Sequence, residues 1–138
     1  MIPMTGLYEV AIKVRDLNTA EAFYRKVLGL EFGLRDESRR WLFLRIGGCA
    51  GVVVLQEDRG DWPIQHFAFG VMESDLELAA ASLRENGISI EGPVFHDWMP
   101  GGSVYFSDPD GHALELFAPA DRDRIRRPTE SQECKVLK

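Results

Sequence analysis

Cysteine is scarce in this chain. Cys49 and Cys134 are the two among 138 residues. One falls in a segment expected to link strands and the other in a polar tail, so neither a disulfide framework nor a thiolate zinc site follows. Basic charge is in deficit too: 16 Lys and Arg against 22 Asp and Glu leave a net charge of −6. Phosphate recognition needs clustered cations, so no nucleic-acid partner is expected. No apolar run approaches the roughly 20 residues that span a bilayer, and no signal peptide opens the chain, so no membrane partner is expected and the cytoplasm is the expected compartment. What remains is an ordinary globular composition, 45% hydrophobic and 28% charged. A single domain over residues 1–119 is expected, followed by a charged tail over 120–138.

The domain reads as one pattern written twice. Leu7 to Val14 alternates, with Tyr8, Val10, Ile12 and Val14 on one face and Glu9, Ala11 and Lys13 on the other. Asp16 or Asn18 can cap a helix over Thr19 to Leu28, whose core face reads Ala22, Phe23, Val27 and Leu30, and Gly29 stops it. Strands are expected over Glu31–Asp36, Trp41–Ile46 and Gly51–Glu57, and a turn-rich linker runs to Pro63. Ile64 to Val71 then alternates again, placing His66, Ala68 and Gly70 on one face. A capping box over Ser74–Glu77 opens a helix to Glu85, and Asn86-Gly87 ends it. Strands follow near Ile88–Ile90, Val94–His96, Ser103–Ser107 and His112–Ala118. Glu9 stands opposite His66 and Gly29 opposite Gly87, so the fold expected is α+β, two β-α-β-β-β modules over residues 7–57 and 64–118.

The chemistry gathers on Ser103 to Phe117. Two alternating arms flank Asp108-Pro109-Asp110-Gly111, which predicts a tight hairpin. Leu114 and Leu116 make one face of the second arm plain core, and Glu115 lies on the other, with Ser103 and Tyr105 on the adjoining arm. A buried carboxylate is costly unless paired, hydrogen-bonded or bound to metal. Glu9 and His66 occupy equivalent positions of the repeat, so Glu9, His66 and Glu115 form a candidate metal set beside the small residues Ala11, Ala68, Gly70 and Ala113. Carboxylate and imidazole without thiolate suit Mn, Fe(II), Co, Ni or Zn, and three protein ligands leave positions open. Each residue also has a plain reading: a hydrogen-bonded core histidine, a carboxylate in water at a sheet edge, a carboxylate paired with arginine.

VRDLNTAEAFYRKVLGLEF and SVYFSDPDGHALEL resemble the first helix and the most recognisable motif of the vicinal oxygen chelate superfamily. That group spans glyoxalase I, fosfomycin resistance transferases, bleomycin resistance proteins and extradiol dioxygenases. The resemblance implies a cup-shaped half-barrel, a divalent metal (Mn, Ni, Zn or Fe) held by Glu9, His66 and Glu115, and a homodimer as the expected assembly. It also implies an enzyme of the glyoxalase or extradiol dioxygenase kind, a lyase or dioxygenase. Its small-molecule substrate is aromatic or vicinally oxygenated and is chelated through adjacent oxygens. Bleomycin-resistance-type sequestration without turnover is the alternative. Glu9 departs from the dioxygenase and fosfomycin transferase patterns, which carry His there, and Val54 departs from glyoxalase I, which carries a Glu.

In the dioxygenase pattern His96 and Tyr105 line the active site, and they are the expected catalytic pair: an imidazole to exchange a proton at neutral pH, and a phenol to donate to an oxyanion. Otherwise His96 is a surface loop residue and Tyr105 a packing residue. Trp41, Phe43, Trp62 and Trp98 are candidates to wall an aromatic substrate, and Trp98 to Gly102 is a candidate lid. Arg124, Arg126 and Arg127 could reach an anionic substrate from the tail, and His112 is expected outside the cavity.

Overall fold

Alternation and glycine stops translate directly into the secondary structure of the computed structural model, which describes residues 1–47 and 50–120. Cys49, Cys134, Arg124, Arg126 and Arg127 lie outside the described residues. The chain divides into two compact units, Met1–Pro63 and a second beginning at Ile64.

The first unit runs β1 (Glu9–Val14), α1 (Leu17–Ala22, continued by a π-helical turn over Phe23–Val27), β2 (Glu31–Asp36), β3 (Trp41–Ile46) and β4 (Gly51–Glu57). The second runs β5 (His66–Gly70), a 3-10 turn (Glu73–Asp75), α2 (Leu76–Glu85), β6 (Glu91–His96), β7 (Gly101–Ser107) and β8 (Ala113–Pro119). Each unit is one four-stranded sheet with the same order, β1-β4-β3-β2 and β5-β8-β7-β6. In both, the first strand pairs parallel with the last and the rest are antiparallel. The duplication is therefore real at the level of topology, and the class is α+β. Register makes it exact in one place: Ala68 faces Glu115 as Ala11 faces Val54, so module one carries a buried valine where module two carries its carboxylate.

Asp16 caps α1 by accepting from the Thr19 N–H at 2.7 Å. The helix ends match across the repeat: Gly29 and Gly87 take φ of 77° and 76°, the left-handed conformation that costs glycine least. Three expectations need correction. Of the expected core face of the first helix, Phe23 and Leu30 are buried, Val27 is half-buried and Ala22 is exposed; Leu17, Ala20 and Tyr24 complete the buried stripe, which starts one turn earlier than read and is shifted in phase by the π turn. The capping box before α2 does not form. The chain enters through a 3-10 turn in which Asp75 N–H bonds Met72 O, and Asp75 makes no side-chain cap. Ile88–Ile90 is not a strand; β6 begins at Glu91 and its pairing with β7 shifts register between Glu91 and Val94.

Each sheet buries one face against its helix. Ile12, Val14, Leu42, Leu44, Val53 and Leu55 are buried together with Leu17, Ala20 and Tyr24 in the first unit, where the helix lies nearest β3 and β4. Phe69, Val104, Phe106, Leu114 and Leu116 are buried together with Leu76, Ala80 and Leu83 in the second, where the helix lies nearest β6, β7 and β8. The entry to α1 is held from β4: Glu57 accepts from Leu17 N–H at 2.9 Å and from the Arg40 guanidinium at 3.1 Å. Those two donors, Arg40 first, hold the Glu57 carboxyl below its ordinary pKa of 4.5. A depressed carboxylate pKa adds stability that is present in full above the unfolded value and lost as pH falls through the folded one. Glu57→Gln should therefore cost about 1–2 kcal/mol at neutral pH. Urea denaturation should show the gap from the parent closing as pH falls below 4.5.

Candidate metal centre and its hydrogen-bonded chain

The face of the second sheet turned away from α2 carries the functional groups, and register explains how they meet. Tyr105 on β7 lies directly across from Glu115 on β8, and Ser103 lies across from Phe117 one step along the same face. On the other side of β8, Ala68 faces Glu115 and His66 faces Ala113. The bulge in β6 sets His96 across from Gly101, which brings its ring back over Ser103 and Tyr105. The hairpin that fixes this register is the expected one. Asp108 O accepts from Gly111 N–H at 3.0 Å, and the Asp108 carboxylate accepts from His112 N–H at 2.9 Å.

Glu115 is almost wholly buried, at 7% exposure, and both its oxygens face a polar group. Oε1 accepts from the Ser103 hydroxyl at 2.6 Å, and Oε2 lies 3.3 Å from His66 Nε2. The other nitrogen of His66, Nδ1, lies 3.0 Å from Ala113 O. A carbonyl oxygen only accepts, so Nδ1 carries the hydrogen and Nε2 of the neutral ring presents its lone pair to the carboxylate. A carboxylate oxygen and a ring nitrogen in this position share a cation between them: a proton on Nε2, giving an imidazolium–carboxylate pair, or a metal ion. A separation of 3.3 Å suits two neighbouring ligand atoms around one ion bonded at about 2.0–2.2 Å. An imidazole held by its far nitrogen on a carbonyl is the usual support for a metal-binding histidine. The donors present thus fit a divalent ion.

Beyond Ser103 the polar chain continues. His96 Nε2 lies 3.0 Å from Ser103 Oγ and 3.0 Å from the Tyr105 hydroxyl. Ser103 is fully buried and Tyr105 and His96 are half-buried, with the Trp98 ring 5.4 Å from that of His96. His96 is therefore no loose surface residue: it ends a strand and joins the network.

The structure brings together four of the residues singled out from sequence, His66, Glu115, His96 and Tyr105, through a fifth, Ser103. Glu9 stands on the first unit at the start of β1, opposite Val52, with its side exposed. Among the described residues no cluster of three or more His, Cys, Asp and Glu side chains is assembled around one ion position. His112 is fully buried in the turn region, where its Nδ1 accepts from Gln65 N–H at 2.9 Å. Trp62 is an anchor for its own loop: its indole N–H donates to Asp58 O at 3.0 Å and Arg15 stacks 4.9 Å above it. Gly101 and Gly102 belong to β7, pairing with Pro119 and Ala118, so the candidate lid shrinks to the turn over 97–100. A surface cleft on the first unit, beside Ala22 and Phe32, offers no comparable chemistry, since its Arg25 and Arg45 pair with Glu21 and Glu31.

The sequence model of the Glyoxalase/Bleomycin resistance protein/Dioxygenase superfamily matches residues 6–116. The chain belongs to that superfamily. Within it, this chain is similar to a glutathione transferase, FosA, of Serratia marcescens, 31% identical over 82% of this chain and 80% of that protein. It is similar also to a metallothiol transferase, FosB, of Staphylococcus epidermidis (strain ATCC 12228), 29% identical over 88% of this chain and 87% of that protein. Among solved structures, an integron cassette protein from the mobile metagenome of the Halifax Harbour sewage outfall is 49% identical, with a TM-score of 0.81 over 83% of this chain and 99% of that one. No helix among the described residues is long and apolar enough to cross a membrane.

Proposed function

We propose that this superfamily member is a divalent-metal enzyme acting on a small substrate chelated through adjacent oxygens. Glu9, His66 and Glu115 are the ligands, and His96 and Tyr105 are the groups that handle protons and developing charge. The observation that carries the reading is the His66 Nε2 to Glu115 Oε2 pair, a ring nitrogen and a carboxylate oxygen 3.3 Å apart, a spacing that suits two ligands of one divalent ion. Glu9 supplies the third ligand, and a homodimer is the proposed assembly. When bound, such an ion supplies Lewis-acid polarisation of the chelated oxygens. Tyr105 then donates to the oxygen that gains charge, and His96 exchanges the proton that the reaction moves.

The reaction class follows the curated relatives, both of them transferases by name and one a metallothiol transferase. Addition of a thiol or similar nucleophile to an electrophilic, oxygen-rich substrate is favoured over glyoxalase isomerisation or ring cleavage. Elemental analysis of protein purified without added metal tests the centre: about one divalent ion per chain is expected, and its loss in Glu115→Ala. Metal-free protein that binds small aromatic compounds unaided would overturn the reading in favour of sequestration. A substrate screen should cover epoxides with thiols, 2-oxoaldehydes and catechols.

Glu9 makes the set more anionic than one of two His and one Glu. Preference should lie with Mn, Ni or Zn, and Glu9→His should shift it toward Fe(II). Competition titrations of the two proteins read this directly. A Glu9→Ala variant that binds metal as tightly as the parent would remove Glu9 from the set.

A further inference from the structure

We infer that Ser103 is a positioning residue that decides where the Tyr105 hydroxyl hydrogen points. Ser103 has a single hydroxyl hydrogen, and at 2.6 Å it is committed to Glu115 Oε1. Toward His96 Nε2, 3.0 Å away, Ser103 can then only accept, so Nε2 must carry a hydrogen. A ring nitrogen that carries a hydrogen has no lone pair in the ring plane, so it accepts nothing from Tyr105, whose oxygen lies at 3.0 Å from the same atom. Tyr105 therefore accepts from His96, and its own hydrogen is turned away from that ring. The direction holds whether the His96 ring is neutral or charged, because Nε2 bears hydrogen in both.

Three consequences follow for Ser103. It fills one oxygen of Glu115, leaving Oε2 as the oxygen turned to His66. It fixes His96 in the Nε2–H form. It keeps Tyr105 available as a donor. Remove the hydroxyl and Nε2 is free to accept from Tyr105, which would then spend its hydrogen inside the protein. The catalytic consequence rests on the proposed function; the hydrogen-bond direction does not.

Nitrogen-15 NMR of histidine-labelled, metal-free protein at about pH 8, where an ordinary imidazole is neutral, reads the tautomers. The chain has 3 histidines, so the spectrum is simple. In the parent, His96 and His112 should be Nε2–H and His66 Nδ1–H, the forms their partners demand. Ser103→Ala should move His96 toward Nδ1–H, and Ser103→Thr should restore the parent form. Tyr105→Phe should leave His96 as Nε2–H, a variant that stays informative if Ser103→Ala fails to fold. An Nδ1–H His96 in the parent, an unchanged His96 in folded Ser103→Ala, or a switch in Tyr105→Phe would overturn the inference. With a substrate in hand, Ser103→Ala should lower kcat about tenfold or more with KM less affected, and Ser103→Thr should recover it. Expected tautomers in a protein that takes up no divalent ion when one is offered would sink the metal reading and leave this one standing; a protein that takes up the ion but shows the wrong tautomers when stripped of it would do the reverse.

Discussion

Glu115→Gln is expected to purify without its ion and to bind added Mn(II), Ni(II) or Zn(II) at least ~100-fold more weakly than the parent, since losing supporting partners alone costs about 10–100-fold. The amide keeps the shape of the side chain, and its carbonyl can still accept from Ser103, so the fold should survive. What it lacks is the charged Oε2 that faces His66 Nε2 at 3.3 Å. Glu115→Ala should lose metal equally and also leave the buried Ser103 hydroxyl without its acceptor. That adds about 1–3 kcal/mol of destabilisation, the usual cost of a buried polar group left unmatched. The two variants thus separate ligand loss from packing loss: equal metal affinities with unequal urea midpoints. Calorimetric titration and elemental analysis read the first, denaturation the second. A Glu115→Gln protein that retains parent-like affinity would remove the central ligand and the proposal with it.

Much of this architecture could be read in the chain because its signals are local. Alternation in Glu9–Val14 and His66–Gly70, glycine at 29 and 87, and the Asp-Pro-Asp-Gly turn each fix a short piece of backbone without outside help. The repeat then fixes topology, since two copies of one order imply two copies of one sheet. Phase within the first helix was harder to read. Tyr24 looks amphipathic yet is fully buried, and the π turn over Phe23–Val27 breaks the 3.6-residue period on which the stripe depends. Ser74-Asp75-Leu76-Glu77 has capping-box chemistry, but after the 3-10 turn the helix takes Asp75 as its N-cap, which leaves Ser74 one residue outside the position the box needs. At the site, face assignment alone put Ser103, Tyr105 and Glu115 together. It could not bring His96 to Ser103, because that contact depends on the register shift between Glu91 and Val94, which alternation alone does not announce. Gly92-Pro93, inside the strand between those two residues, is the signal that could have found it.

His96→Ala should lower turnover at least tenfold while leaving metal content unchanged, and the size of the loss should fall within the roughly 10²–10⁴-fold range of a positioned proton carrier. The separation is possible because His96 touches Ser103 and Tyr105 and neither His66 nor Glu115 directly. Removing the ring deletes the one donor that both hydroxyls accept from. Ser103 keeps its bond to Glu115, so the carboxylate stays in place and the ion should still bind. Tyr105 keeps its hydroxyl but loses the partner that holds the ring, so its donor should wander and part of the loss should come from there. Tyr105→Phe isolates that part: metal content should again be parental, with turnover falling less than in His96→Ala. The double variant should then lose less than the product of the two single losses, since both act through one hydrogen-bonded unit. Single-turnover rates on the metal-loaded proteins measure all three. Parent-like turnover in both single variants would strip His96 and Tyr105 of any part in the chemistry and leave the ion and its ligands to do it alone.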